Sequence, residues 1–484
     1  MSCGRGLSQV WRCLMNNVCV YFGWLLFCLV SMTAACRVEP NDNSVSASDP
    51  QVTQDTDHNK ETTFTDITVS IHPQIGSLLI VEWNQSTSGT GTVMYRIGQE
   101  DWMWTPEVTT VGLQTHVLLG MPYDTDVSIV VSVTTDQGES LSEALVVRTD
   151  PAPVSAPQVV VSKSDPSRTD TGVEFFLVSS SQSTWQSGTQ SWVSIIDRQG
   201  RLVWAVPTQQ GRISLHARLS YDEEDILYDQ GSFWTQFDFG AQSQIQRMKI
   251  DGTVVAVYDT PGLHHPFTET ADGSLIWGAM SSWNEETLVE RNAEGEILTL
   301  WNCREFLDSV GMDDDCGSNT VFWEESTDTI LFSQYNTDTI FEIDRANKTL
   351  VRWFGNVAGA WDFEQKESQF WWQHGAHFTE DGHLMVSCKG SQDGSETVIR
   401  EYALNESGQT LEEVWSFGEG RGVYGPEMGE AHRLDNGNTL HNYGSQPLLL
   451  EATPQGDVVW QVAWKNQTYI GRTTPLSDLY DLLP

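Results

Sequence analysis

The sequence predicts an all-β protein in which a small fibronectin III/Ig-like β-sandwich precedes a six-bladed β-propeller. The chain of 484 residues holds 20 Trp and 39 Gly, a mixture that suits many short strands joined by tight turns. Strands rich in Trp or β-branched residues recur at intervals of about 50 residues, the length of a four-stranded blade. No segment sustains a 3.6-residue hydrophobic period over three turns, so long helices are not expected.

Six recurring strands define the predicted propeller, which spans residues 157–484. Several of them follow another strand through a two-residue turn such as Asp-Gly, Glu-Gly, Asn-Lys or Gln-Gly, as expected of hairpins. Residues 173–198 are expected to close the ring with the C-terminal blade. The six strands are centred on Trp204, Ala256, Thr299, Arg352, Trp415 and Trp460.

Residues 61–155 are predicted to form the smaller sandwich, because short alternating strands there are separated by Gly, Asp and Pro. The stretch Leu119–Val127, with Trp83 upstream, resembles a fibronectin type III domain. No chemistry-bearing pattern occurs in this region, so we interpret it as a spacer or docking module. Predicted strands cover 78–83, 92–98, 115–121, 126–135 and 144–149.

The first 36 residues have the pattern of an export signal. Arg5 and Arg12 precede an uncharged, mostly apolar run from Val18 to Ala35. Thr33-Ala34-Ala35-Cys36 resembles a bacterial lipobox, which predicts lipidation of Cys36; ordinary cleavage and a retained membrane anchor are the alternatives. Residues 37–60 are polar and aperiodic, and predict a disordered tether. We therefore expect export to the bacterial periplasm or cell surface, with membrane contact only through a lipid anchor.

The net charge excludes some classes of binding partner, and the cysteines indicate where a disulfide can form. The formal charge of −40 argues against binding to nucleic acid or, through a basic patch, to anionic lipid. Outside the signal only three cysteines occur. Cys303 and Cys316 flank a short acidic loop and are expected to form a disulfide in an oxidising compartment, with two reduced buried thiols as the alternative. Cys388 lies in an apolar strand and is predicted to be a core residue.

The histidines fall in register with the predicted blades. When the innermost strands are aligned on their following turns, His or Asn stands eight positions before four of the five turns and His stands five positions before two of them. We expect these side chains to meet in the central channel, joined by His264 beside His265 and by an Arg from the closing strand. The residues so placed are His216, His265, Asn319, His374, His377, His432 and Arg472.

Such a channel suits two kinds of chemistry. Neutral imidazole is a good nucleophile and general base near pH 7, and Asn and Arg can hold the oxygens of a transferring anionic group. The same histidines could instead ligate a metal such as copper or zinc. The residues alone leave both possibilities open.

Five stretches within residues 157–484 carry a family resemblance: LHHPFTETADGSLIWG, DTILFSQYNTDTIFEIDRANKTLVRWFG, WWQHGAHFTEDGHLMVS, HRLDNGNTLHNYGSQPLLLEATPQGDVVW and YIGRTTPLSDLY. They resemble the PAPS-independent arylsulfotransferases. The resemblance implies a ping-pong reaction without a nucleotide cofactor, in which a channel His takes the sulfuryl group from an aryl sulfate and passes it to a phenol. It implies that His374 is the nucleophile, that His264 or His265 serves the bridging oxygen and that Asn319 binds oxygen.

The chain departs from the family pattern at two positions. Gly317 stands about where the family has a His, and Gln334 where it has an Arg. Each loss removes a cationic donor to the sulfuryl oxygens. Three hypotheses follow: an exported sulfotransferase, a propeller that binds a ligand or partner without turnover, and a His-lined metal channel. In the first, the substrate-binding residues are Asn319 and the register-derived His216, His377, His432 and Arg472.

Overall fold

Sheets of four or five strands, almost all antiparallel, make up most of the structure, a computed structural model that describes residues 64–182 and 191–483. The predicted export signal 1–36, with Cys36, and the predicted tether 37–60 lie outside the described residues. No helix within the described ranges has the length and apolarity needed to cross a membrane.

The N-terminal region contains seven strands that a single long strand links together. β2 pairs with four of them, and β5 pairs with β2 and with the last two. The predicted strands 78–83 and 92–98 are therefore one strand, because the intervening polar residues continue the pairing through a register shift between Gln85 and Gly89 instead of turning. The strands are β1 (Phe64–Ile71), β2 (Leu79–Ile97), β3 (Met103–Trp104), β4 (Val108–Leu118), β5 (Asp126–Thr135), β6 (Gly138–Leu141) and β7 (Leu145–Arg148).

The remaining strands confirm the predicted six-bladed propeller. β8 (Val159–Ser164) runs along the outer edge of the last blade. The first three blades take β9 (Phe175–Ser181), β10 (Ser191–Asp197) and β11 (Leu202–Pro207); β12 (Ala217–Leu219), β13 (Ile226–Gln230), β14 (Gln244–Met248) and β15 (Val254–Asp259); and β16 (Leu263–Glu269), β17 (Leu275–Ser282), β18 (Glu285–Arg291) and β19 (Ile297–Asn302).

The last three blades repeat the pattern, with one short additional parallel strand, β24, at the edge of the fifth. They take β20 (Ser318–Glu324), β21 (Thr329–Gln334), β22 (Thr339–Asp344) and β23 (Thr349–Gly355); β24 (Asp362–Phe363), β25 (Trp371–Phe378), β26 (Leu384–Lys389), β27 (Thr397–Asn405) and β28 (Thr410–Phe417); and β29 (Glu430–Arg433), β30 (Thr439–Asn442), β31 (Leu448–Ala452) and β32 (Val458–Trp464).

The C-terminal strand β33 (Tyr469–Leu476) closes the ring. It pairs with β9 and becomes the innermost strand of the first blade, so the two ends of the propeller share one sheet. Buried tryptophans join neighbouring blades: the indole N–H of Trp204 donates to the carbonyl of Ile250 (2.7 Å), and that of Trp460 to Arg198 (2.8 Å). The smaller N-terminal sheet packs on this blade, since Leu78 shares a core with Trp204.

Within the described residues, two short α-helices and a disulfide interrupt the strands. α1 (Phe233–Gln236) follows β13, and α2 (Cys303–Ser309) follows β19, capped by Asn302, which accepts from the Glu305 N–H at 3.0 Å. A disulfide joins Cys303 to Cys316, 13 positions later, and Cys388 is a buried free thiol. Two 3-10 turns cover Lys366–Ser368 and Tyr480–Leu482.

Candidate functional site

Four of the innermost strands pair irregularly at positions where the sequence predicts site residues. Between regular pairs, the register shifts over Leu263–Phe267, Ser318–Thr320, Trp371–His377 and Ile470–Thr473. Such bulges bend a strand and re-aim its side chains, and they occur often beside active sites. The residues within these four segments include His264, His265, Asn319, His374 and Arg472.

His374 is held in one protonation state and one orientation. Its Nδ1 lies 3.1 Å from the carbonyl oxygen of Trp372, which can only accept, so Nδ1 carries the proton. Burial, followed by the charge of Arg472, lowers the pKa of His374 to about 3. The ring is therefore neutral at physiological pH, with the lone pair on Nε2.

The carbonyl that orients His374 belongs to a strained residue. Trp372 has a φ of 51°, a left-handed conformation that is costly for a bulky side chain. Its backbone N–H donates to Oδ1 of Asp338 at 2.6 Å. Asp338 therefore fixes the peptide that in turn fixes the imidazole. Neither residue stood out in the sequence, because the link depends on backbone geometry between two blades.

The adjacent histidines of the third blade differ in their contacts. His264 Nε2 donates to the carbonyl of Ser318 at 2.6 Å, and its Nδ1 lies 3.7 Å from Oε1 of Glu286. His265 has no hydrogen-bond partner on either ring nitrogen, although both nitrogens are buried. Burial, then the neighbouring His264, His374 and Arg472, holds the pKa of His265 well below its usual value. His265 is thus a neutral imidazole whose N–H is free to donate.

Asn319 and Arg472 are both committed to protein partners. Asn319 Nδ2 donates to the carbonyl of Gln373 at 2.5 Å. Arg472 donates through Nη1 to the Gly429 carbonyl (3.1 Å) and Glu430 (3.2 Å), and through Nη2 to the Asn319 carbonyl (2.8 Å) and Thr320 (3.0 Å). All four Nη protons of Arg472 have acceptors. It ties three blades together and contributes a positive field rather than free donors.

Two further histidines form a separate pair. The rings of His377 and His432 lie 6.0 Å apart, and His432 Nε2 is 3.6 Å from Oε2 of Glu430. Burial, then the charge of His432, lowers the pKa of His377 to about 4. Although burial raises the pKa of Glu430, Arg472, His432 and the Thr473 N–H together outweigh burial and lower the value to about 2. Glu430 is therefore ionised beside Arg472.

His216 lies at the start of β12, beside the third blade. Its Nδ1 accepts a 3.4 Å hydrogen bond from the backbone N–H of Phe267, and its ring packs 4.5 Å from that phenyl ring. Burial, then the charge of Arg472, holds its pKa well below the usual value. His216 is therefore neutral. It is connected to the site by its contacts with Phe267 and by its electrostatic interaction with Arg472.

Glu286 is a buried carboxylate that no sequence pattern singled out. It accepts from the N–H (2.6 Å) and Oγ (2.5 Å) of Ser318 and from Nε2 of Gln334 (3.1 Å). It is a buried acid beside His264, 3.7 Å from Nδ1. The strand in which it lies, EETLVER, has an ordinary alternating pattern, so only the fold brings it to the channel.

A narrow pocket opens next to His374. It is lined by Trp372, His374, Ser387, Cys388, Lys389, Thr397, Gly425, Pro426 and Gly429. Tyr335 stands beside it, with its ring 5.4 Å from Trp372 and 5.6 Å from His374. In the described part of the chain, no three His, Cys, Asp or Glu side chains are grouped so that they could hold a metal ion.

A second aromatic group lies beside His264. The ring of Phe233 is 5.4 Å from the imidazole of His264 and 5.6 Å from the half-exposed Trp283. Phe239 and Trp234 complete the group. Aromatic faces therefore flank the two parts of the channel that hold the neutral histidines.

A family model described as Arylsulfotransferase (ASST) matches residues 159–470, more than half of the chain. The chain belongs to the arylsulfotransferase family. The matched region of this arylsulfotransferase family member holds every candidate channel residue except Arg472, which follows it by two positions. No curated protein matches the chain.

Solved structures similar to this arylsulfotransferase family member share few identical residues with it. A protein of unknown function from Bacteroides caccae has 16% identity, a TM-score of 0.41 and coverage of 62% of this chain and 98% of its own. A putative 6-phosphogluconolactonase from Bacteroides fragilis has 12% identity, a TM-score of 0.39 and coverage of 80% and 98%. A streptogramin B lyase structure has 14% identity, a TM-score of 0.37 and coverage of 67% of this chain and 100% of its own. TM-scores this low carry no functional inference.

Proposed function

We propose that this protein transfers a sulfuryl group from an aryl sulfate to a phenol, with His374 as the nucleophile. The observation that carries the proposal is the state of His374. Its proton is held on Nδ1 by the Trp372 carbonyl and its low pKa keeps Nε2 unprotonated. A neutral imidazole with one oriented lone pair is an activated nucleophile that needs no separate base.

The proposed reaction has two balanced steps. Nε2 of His374 forms a bond to sulfur as the sulfur–aryloxy bond breaks, and the phenolate leaves with that electron pair. The acceptor oxygen then attacks sulfur, the sulfur–nitrogen bond breaks and its electrons return to Nε2. The proton that the acceptor phenol loses balances the one the phenolate takes up. The free N–H of His265 supports the departing oxygen in the first step.

The aromatic residues around the channel support an aryl substrate. Tyr335 and Trp372 lie beside His374, and Phe233 lies beside His264 with Trp283 packed against it. Aromatic rings pack favourably against one another in offset or edge-to-face geometry.

We also propose that the protein is exported and lipid-anchored through Cys36, since the signal-like segment and the Cys303–Cys316 disulfide suit an oxidising compartment.

Phenol-dependent release from an aryl sulfate tests the function. Residues 61–484 are incubated with 4-methylumbelliferyl sulfate and excess phenol, and the fluorescent product and phenyl sulfate are measured. We expect release that requires phenol and that disappears in His374→Ala. The matched control is His72→Ala, directly after β1 in the N-terminal region, which should retain full activity. Phenol-independent release, or full activity in His374→Ala, contradicts the proposal.

The departures at Gly317 and Gln334 favour one second candidate, a propeller that binds sulfated ligands without turnover. Both positions are occupied by neutral groups that contact each other instead of a substrate, with the Gly317 N–H donating to Gln334 Oε1 at 2.7 Å. The absence of any release from a folded protein, together with unchanged ligand affinity in His374→Ala, would establish that candidate.

A further inference from the structure

Lys389 is a nearly buried cation with unused donors in the His374 pocket. It is 8% exposed, and its Nζ donates one hydrogen bond, to the carbonyl of Gln392 at 3.0 Å. The same Nζ lies 4.2 Å from the centre of the Trp372 ring. An ammonium group has three protons to donate. Two of them therefore have no protein acceptor among the described residues.

No carboxylate forms a salt bridge with Lys389 within the described ranges. Asp338 senses its charge: burial raises the pKa of Asp338, and hydrogen bonds and Lys389 lower it in part. Both oxygens of Asp338 already accept from neutral donors: the Trp372 N–H at 2.6 Å and Asn356 Nδ2 at 3.3 Å. A buried cation without a paired anion is costly unless a ligand supplies one.

Two arginines of the propeller, Arg472 and Arg433, are engaged with protein partners. All four Nη protons of Arg472 have protein acceptors. Arg433 is paired with Glu401 and stacks on Trp415, 4.5 Å from the ring centre. Lys389, by contrast, lines the same pocket as His374 and sits on β26, whose Ser387 is the register partner of His374.

We propose that Lys389 is the cation that binds the sulfuryl oxygens of the donor beside His374, in place of the Arg that the family pattern has at Gln334. The inference rests on the proposed function and deepens it. The sulfuryl group would receive hydrogen bonds from Nζ at the edge of the Trp372 ring, and the aryl part would lie against Trp372 and Tyr335. A mobile point charge of this kind suits an anion that changes geometry during transfer.

The test combines binding and turnover in four proteins. Wild type is compared with Lys389→Met, which keeps the aliphatic stem, with Lys389→Arg, which keeps the charge, and with the control Lys366→Met, whose side chain is 71% exposed. Calorimetric titration with inorganic sulfate and with 4-nitrophenyl sulfate measures binding. The phenol-dependent assay measures kcat and KM. Thermal unfolding checks each fold, and Lys389→Gln replaces Lys389→Met if the latter does not fold.

We expect Lys389→Met to weaken sulfate binding at least tenfold and to lower kcat/KM about 100-fold, the size of one lost oxyanion donor. Lys389→Arg should recover most of the binding, and Lys366→Met should match wild type. Wild-type binding and turnover in Lys389→Met would overturn the role of Lys389 while leaving the transferase proposal intact. Sulfate binding that depends on Lys389 in a protein without turnover would support the anion site and refute the transferase.

Discussion

The backbone N–H of Gly317 donates a 2.7 Å hydrogen bond to Oε1 of Gln334. The side-chain amide of Gln334 also donates, through Nε2, to Oε2 of Glu286 at 3.1 Å. The two positions at which the chain departs from its family therefore form one neutral, hydrogen-bonded unit. This unit holds the buried carboxylate that faces His264, so the departures change the local charge without leaving a gap.

Replacing Gln334 with Met should destabilise the fold. The variant keeps the side-chain length but leaves the Gly317 N–H and an oxygen of Glu286 without this partner. Because an unsatisfied buried group costs about 1–3 kcal/mol, we expect the free energy of unfolding to fall by about 2–4 kcal/mol. Urea unfolding measures it. Gln242→Met, at an exposed site, should change stability by less than about 0.5 kcal/mol, and equal stabilities would show that the unit contributes nothing.

The sequence predicts the propeller well because its signal is repetitive. Each blade ends in a similar hairpin, and tight turns such as Asp251-Gly252 take the positive φ that the pattern requires. The candidate residues were found because register along equivalent strands survives in the sequence. The structure adds contacts between blades, as from Asp338 to Trp372 or Glu286 to Ser318, which no local pattern encodes.

The division of β2 into two predicted strands has a similar origin. Residues 85–91 are rich in Ser, Thr and Gly, which is typical of a turn, yet they continue β2. The side chain of Gln85 donates to the carbonyls of Thr87 and Gly89, at 3.1 and 2.9 Å, and so supports an irregular extended segment. Tertiary pairing with β4 and β5 overrides the local preference.

The Cys303–Cys316 disulfide should stabilise the fourth blade. It closes a loop across 13 positions, and loops of this size contribute about 3 kcal/mol by restricting the unfolded chain. We expect the double variant Cys303→Ala/Cys316→Ala to lose about that amount in urea unfolding. Reduction of wild type should have the same effect, while the double variant should not respond to reductant. A wild type that also does not respond would contradict the prediction.

Buried neutral histidines should make the protein less stable in mild acid. Burial, then the charge of Arg421, lowers the pKa of His441 to about 3, whereas an unfolded His titrates near 6.5. The unfolded state therefore binds more protons between these values, and stability is lost as pH falls below about 6.5. Asp229, whose pKa burial raises to about 7, acts in the opposite direction and must be allowed for.

Comparison with His441→Gln isolates this contribution. Between pH 7 and 5, wild type should lose about 2 kcal/mol more than the variant, since each pKa unit corresponds to about 1.4 kcal/mol. Urea unfolding at pH 7, 6 and 5 provides the measurement, and the Asp229 contribution cancels because both proteins contain it. Parallel pH profiles would mean that His441 titrates normally in the folded protein.

Asp338 should act on the reaction through Trp372 and not by contact with the substrate. Asp338→Ala removes the acceptor that holds the Trp372 N–H, so the strained peptide can relax and release the ring of His374. Because small displacements of a reacting group are costly, we expect kcat to fall about 100-fold with little change in KM. Asp338→Asn keeps the acceptor oxygen and should retain most of kcat. If the Asn variant is as impaired as the Ala variant, the charge of Asp338 matters and the anchoring role is wrong; if both keep full kcat, the Trp372 carbonyl is held without it.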